Sequence, residues 1–185
     1  NNYFEKKNKI FLKKYINKIK ILKNINHNSN DMINIIKKFK FDFLVNVGTP
    51  RKIQKKIISI CKNKILNIHP GLLPMYRGCT CVEWAIYNDH KIGNTIHFLN
   101  EKYDGGNIIN KKAILFKKKS SYSDVRIKVF LEGIKLLSNV LTNKKKLHSK
   151  KQNEKKAKYW KVIDQQKMKD IKKKLKKGEY KFQVL

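Results

Sequence analysis

Asn67 and His69 stand two residues apart at the end of an apolar run, Ile65-Leu66-Asn67-Ile68-His69. If that run is a strand, both side chains share one face. Asp104 lies in a polar turn, Tyr103-Asp104-Gly105-Gly106, after a second apolar run. An amide, an imidazole and a carboxylate converging on one cleft make a kit for acyl transfer to an amine. The amide and an imidazolium can stabilise the oxyanion of a tetrahedral intermediate. A carboxylate nearby can hold the histidine protonated and help move the amine's proton. Spacing alone leaves the bland alternative open: a satisfied histidine at a strand end and an Asp-Gly turn. The sequence has no glycine-rich phosphate loop, no Ser or Cys nucleophile elbow and no His-Glu metal helix.

The elements that must position these residues alternate. A short strand is expected at 21–26, and Ser29, Asn30 and Asp31 can cap a helix to about Lys40, with Met32, Ile35, Ile36 and Phe39 at core spacing. Residues 41–47 read as a buried strand ended by Gly48-Thr49-Pro50. Thr49 is the expected N-cap of the next helix and Pro50 suits its first position. Ile53, Ile57 and Ile60 supply its apolar stripe, and residues 65–69 are the following strand. This is a βαβ unit with a right-handed crossover. After a loop at 70–79 and a short helix at 82–87, strands are expected at 94–99 and 108–116. A long helix opens at Ser123 and Asp124, with Val129, Phe130, Ile134, Leu137 and Leu141 on one side. The last helix runs from Asp164, with Met168, Ile171 and Leu175 inward. The fold class expected is α/β, an open, mainly parallel, Rossmann-like sheet with flanking helices. The chain divides into a basic arm at 1–20, a main domain at 21–142, a lysine-rich solvated linker at 143–158 and an aromatic-basic helical segment at 159–185.

The 185 residues carry a formal net charge of +32. All but Arg51, Arg77 and Arg126 of the 45 basic residues are lysine, and asparagine is also abundant. That mixture fits a coding bias as well as it fits a polyanionic partner. No apolar run is long enough to span a membrane, and no signal-peptide pattern opens the chain. The chain starts without Met, as a fragment or a processed form would. Three cysteines, Cys61, Cys79 and Cys81, fit no disulfide framework and point to an intracellular, reducing compartment. Cys79-Thr80-Cys81 lacks the spacing of a zinc knuckle, so no metal is expected and Cys79 and Cys81 are read as loop-packing residues.

The run Asn67-Ile68-His69-Pro70-Gly71-Leu72-Leu73-Pro74-Met75-Tyr76-Arg77-Gly78 resembles the motif of the folate-dependent formyltransferases. That family includes glycinamide ribonucleotide transformylase, methionyl-tRNA formyltransferase and sugar-amine N-formyltransferases. Downstream, Gly93-Asn94-Thr95-Ile96-His97 and Asp104-Gly105-Gly106 are similar to its Gly-x-Thr-x-His strand and Asp-x-Gly turn. The resemblance covers residues 41–116 well. It implies a formyltransferase-like fold lacking the first βαβ unit, and 10-formyltetrahydrofolate as donor. By the same resemblance Asn67, His69 and Asp104 are catalytic, with His97 and Thr95 supporting. Thr49, Pro50, Arg51, Ile53, Asn100 and Tyr103 would wall the folate cleft. Pro70, Gly71, Leu72, Leu73, Pro74, Arg77 and Gly78 would form the substrate loop, with a cis Leu73–Pro74 peptide. Asp104 would keep His69 cationic. The acceptor implied is a small amine, such as a glycinamide ribotide or an amino-sugar nucleotide. Methionyl-tRNA is the alternative, and a nucleic-acid-binding module on a degenerate formyltransferase fold is a second one. An RNA partner and the oligomeric state stay open.

Overall fold

The computed structural model describes residues 25–49, 51–62, 64–143 and 147–184. The arm expected at 1–20, most of the strand expected at 21–26 and Pro50 lie outside them. Helix α1 (Asn30–Lys38) is capped by Ser29, whose hydroxyl accepts from Met32 N, and its last turn carries Lys37 and Lys38. Ile33 and Ile36 are its buried residues. Phe39 leaves the helix in an extended conformation and is exposed, so it does not continue the core stripe.

Strand β1 (Leu44–Asn46) and strand β2 (Ile65–His69) run parallel, joined by helix α2 (Lys55–Cys61). The helix starts later than the Thr49 cap predicts, with Gln54 at its N-cap. Thr49 is used otherwise: its N–H donates to Asn46 Oδ1 and its hydroxyl to Arg51 O. The described residues from Thr49 to the Gln54 cap, 49 and 51–54, form no helix or strand, and Ile53 among them is buried.

The sheet order is β1-β2-β4-β5, with β4 (Gly93–Phe98) and β5 (Ile108–Ala113). The α/β architecture is as expected, but the sheet is mixed: β4 runs antiparallel to β2 and β5 antiparallel to β4. The link from β2 to β4 is a loop, the two-residue strand β3 (Arg77–Gly78) and one short helix, α3 (Cys81–Tyr87). With no helix crossing over the sheet between them, β4 re-enters at the end where β2 leaves and runs back antiparallel to it. The strand expected at 108–116 divides, because Phe116 and Lys117 form a separate strand, β6.

Helix α4 (Tyr122–Thr142) opens earlier than expected, with Ser121 rather than Ser123 at its N-cap. Ser121 and Asp124 form a reciprocal capping box. Its buried stripe is Val125, Val129, Gly133, Leu136, Leu137 and Val140. Phe130, expected inward, is 59% exposed, and Ile134 is exposed beside it.

Residues 147–158, expected as a solvated linker, dock onto the body. Ile108 and Lys150 exchange backbone hydrogen bonds at 2.8 Å, and Gln152 is buried. Strand β7 (Tyr159–Trp160) then pairs parallel with β3. Helix α5 (Gln165–Lys177) packs on α3 and buries Ile171 and Leu175. Strand β8 (Gln183–Val184) pairs with β6. The apolar residues hidden in the lysine-rich tail explain the docking: Ile163, Ile171, Leu175 and Tyr180 join one core cluster with Val82, Ile86, Val125 and Val129. Leu175→Ala is expected to cost about 2–5 kcal/mol, the usual range for emptying a fully buried leucine site. Denaturant unfolding checks it, and a cost below about 1 kcal/mol would show that the tail adds nothing to the fold.

Candidate active site

The parallel register sets Asn46 beside Asn67, and the antiparallel register sets Asn67 beside His97 and His69 beside Thr95. Four of the polar groups picked out in the sequence thereby stand on one face of two neighbouring strands. Asp104 reaches them from the turn after β4, with φ at 47°. Its Oδ2 accepts from Gly78 N at 2.8 Å. Its Oδ1 faces His69 Nδ1 at 3.5 Å and His97 Nε2 at 3.6 Å. Gly106, two residues on, passes so close to β4 that a Cβ there would meet Phe98 O at 1.7 Å. Glycine is therefore required for the turn to fold back over the strand.

The hydrogen bonds fix the amide of Asn67. Its Oδ1 accepts from Asn46 Nδ2 at 2.7 Å, and its Nδ2 lies 2.9 Å from His97 Nε2. His97 Nδ1 donates to Phe98 O at 2.8 Å, which leaves Nε2 as the acceptor for Asn67 in the neutral ring. One of the two Asn67 N–H bonds is so consumed, and the other is available to the cleft. Asn46 was not singled out in the sequence. Its signal was there: the βαβ register puts a second amide at the strand end beside Asn67.

His69 is 3% exposed. Its Nε2 lies 2.6 Å from Tyr76 O, so Nε2 carries the proton and donates. Burial pulls the His69 pKa down, the Asp104 carboxylate pulls it up, and burial wins. The net direction is downward, against the expectation that Asp104 keeps the ring cationic. Burial alone would raise the Asp104 pKa. The contact with His97, the positive charge that His69 takes up in the acid range where the carboxyl titrates, and the Gly78 N–H outweigh it and hold the carboxyl at about 2.

A cleft of about 190 Å³ opens beside this cluster, lined by Asn46, Asn67 and Asp104 on one side. Thr49, Arg51, Ile53, Asn100 and Tyr103, all expected there, line it too, with Lys52, Ile58, Leu99 and Lys102. His69 is not a lining residue and stands behind Asp104. The loop at 70–78 is fastened by Thr95, whose hydroxyl donates to Gly71 O at 2.6 Å and accepts from Leu73 N. The Leu73–Pro74 peptide is cis. Arg77, expected in the substrate loop, is buried and committed elsewhere: it donates to Gln152 Oε1 and to both carboxylate oxygens of Glu154. Cys81 is buried, and its Sγ donates to Tyr76 O and Gly78 O. Cys79 is exposed, so only one of the two is a packing residue.

A family model described as "Formyl transferase" matches residues 2–141, and the chain belongs to that family. The methionyl-tRNA formyltransferase of Finegoldia magna is 29% identical over 135 residues, 71% of this chain and 44% of that protein. The chain spans less than half the length of the curated relatives it matches first. Among solved structures, a 4-N formyltransferase from Francisella tularensis is 26% identical with a TM-score of 0.62, covering 85% of this chain and 62% of that one. The fold is also that of the formyltransferase PseJ from Anoxybacillus kamchatkensis, solved with UDP-4,6-dideoxy-4-formamido-L-AltNAc and tetrahydrofolate. The TM-score is 0.65 at 20% identity, over 86% of this chain and 85% of that one.

Proposed function

We propose that the cleft transfers a formyl group from 10-formyltetrahydrofolate to an amine. The observation that carries this reading is the joint placement of Asn67, fixed by Asn46 and His97, and Asp104 at the floor of one cleft. Its walls suit the donor: Ile53, Ile58 and Leu99 offer apolar surface to a flat ring, and Arg51, Lys52 and Lys102 offer cations to an anionic tail.

The acceptor nitrogen attacks the formyl carbon, and its lone pair forms the new C–N bond. The carbonyl π pair moves to oxygen, where the free Asn67 N–H donates to the oxyanion. Asp104, ionised, accepts the proton of the new ammonium directly or through a water. The Nδ1 lone pair of His69, 3.5 Å behind, can take that proton and form an ion pair with Asp104. The proton returns to the folate nitrogen as the C–N bond to it breaks, and tetrahydrofolate leaves.

The acceptor has two readings. A small amine, such as a glycinamide ribotide or an amino-sugar nucleotide, is the first, supported by His97 in the cluster and by the sugar N-formyltransferase likeness. Methionyl-tRNA is the second, supported by the names of the curated relatives and the charge of +32. Turnover of 10-formyltetrahydrofolate against glycinamide ribonucleotide, a UDP-4-amino sugar and Met-tRNA tests both. One acceptor is expected to exceed the others by at least about a hundredfold in kcat/KM. Equal, background-level rates with all three would sink both acceptor readings. A steep salt dependence confined to Met-tRNA would select the second.

A further inference from the structure

Gln152 belongs to the run that reads as linker, yet it is 5% exposed and its amide is fully used. Nε2 donates to Asp104 O at 2.7 Å and to Gly106 O at 2.7 Å. Oε1 accepts from Arg77 Nε at 3.1 Å and Nη2 at 2.8 Å. Arg77 is followed by Gly78, whose N–H holds the Asp104 carboxylate. Asp104 is thus gripped twice, by Gly78 through its side chain and by Gln152 through its main chain. Gln152 also ties the two grips together through Arg77. The grip matters because Asp104 sits at positive φ, a conformation that a non-glycine residue keeps only where its surroundings impose it. The chemistry is specific to an amide. Two carbonyls need donors and a guanidinium needs an acceptor, and only an amide side chain offers both at once. A carboxylate would face two carbonyl oxygens, and a lysine would face Arg77.

We infer that Gln152 is a positioning residue for Asp104, and that the lysine-rich segment at 147–152 that carries it is part of the active unit. The inference rests on the reading of Asp104 given above. Its bonds hold Asp104 Oδ1 within 3.5 Å of His69 Nδ1. Slackening of the turn weakens both proton handling and the upward pull of Asp104 on His69.

The test compares Gln152→Glu and Gln152→Met with Glu154→Ala in the full chain. Glu154→Ala removes a partner of Arg77 but leaves every bond of Gln152. Gln152→Glu is expected to lower kcat by about 10- to 100-fold, as a small misplacement of a reacting group does. The KM for 10-formyltetrahydrofolate should stay within about threefold. Glu154→Ala should stay within about threefold of wild type on both. In Gln152→Met, NMR titration of the His69 ring should show its midpoint moved to lower pH, in the same direction as in Asp104→Asn. Wild-type kcat in folded Gln152→Glu, or an unmoved His69 midpoint in folded Gln152→Met, would overturn the inference. So would failure of both variants to fold, which would make the residue structural only. If Asp104→Asn itself turns over normally, the reading of the site fails first. If Asp104→Asn is inactive while both Gln152 variants work, only this inference fails.

Discussion

Asp104→Asn is expected to reduce formyl transfer by roughly a hundredfold or more, with little change in the KM for the donor. The replacement keeps the shape and keeps an oxygen for Gly78 N–H. It removes the one carboxylate that faces both His69 and His97. The loss therefore falls on proton handling. The same substitution has a thermodynamic signature. Asp104 is held at about 2 against an ordinary value near 3.8, so its ionised form stabilises the fold. By linkage the ionised carboxyl contributes to stability. That contribution is fully present above the unfolded value and is lost as pH falls through 4 towards 2. Asp104→Asn should then lower stability at pH 7, and the gap to wild type should close in acid. Urea unfolding at both pH values measures it. The His69 pKa should also fall further, because the group that raises it is gone. A variant with wild-type turnover and a pH-independent stability gap would remove Asp104 from the mechanism.

Asn67→Ala is the second large effect, with kcat expected to fall about 10²–10³-fold, the cost of deleting one oxyanion donor. The donor is credible because its geometry is imposed. Asn46 takes the oxygen, His97 takes one N–H, and the remaining N–H is left to the cleft. The same bonds give Asn46→Ala a graded prediction. The amide of Asn67 stays but loses the partner that orients it, so kcat should fall by about tenfold rather than a thousandfold. Thermal unfolding should show both variants folded. An Asn46→Ala variant as inactive as Asn67→Ala would mean that Asn46 itself touches the reacting atoms.

Periodicity and caps in the sequence located the βαβ unit, α3 and the last helix well. The motif residues Asn67, His69, His97 and Asp104 are adjacent in space because strand register alone brings three of them together. Two kinds of feature were hidden. Loop chemistry displaced the start of α2: Thr49 satisfies itself within a turn after β1, and that competition between a local turn and a helix cap leaves no mark in composition. Docking of the lysine-rich segment depends on sparse residues. Gln152 and Ile163 carry the burial, and the lysines around them point outward and dominate any averaged reading. The protonation of His69 was also out of reach. It is decided by burial against one carboxylate, a balance set only once the loop at 70–78 closes over the ring. Phe130 and Ile134 show the limit of spacing on α4: the helix is longer and rotated relative to the expected stripe, so that Gly133 rather than Ile134 meets the sheet.

In the proposed reaction Asn67 and Asp104 act on a formyl group bound in the cleft between Thr49, Arg51 and Ile53 on one side and Leu99, Asn100 and Tyr103 on the other. The most direct measurement is release of tetrahydrofolate from 10-formyltetrahydrofolate across the acceptor panel, run in parallel for wild type, Asn67→Ala and Asp104→Asn. Each sample is also scanned for thermal stabilisation by tetrahydrofolate. Wild type should release tetrahydrofolate in an acceptor-dependent way, and both variants should lose roughly a hundredfold or more. Stabilisation by the folate should be retained in all three, because the walls of the cleft are untouched. Folded wild-type protein that releases no tetrahydrofolate with any acceptor and gains no stability from the folate would contradict the proposed reaction.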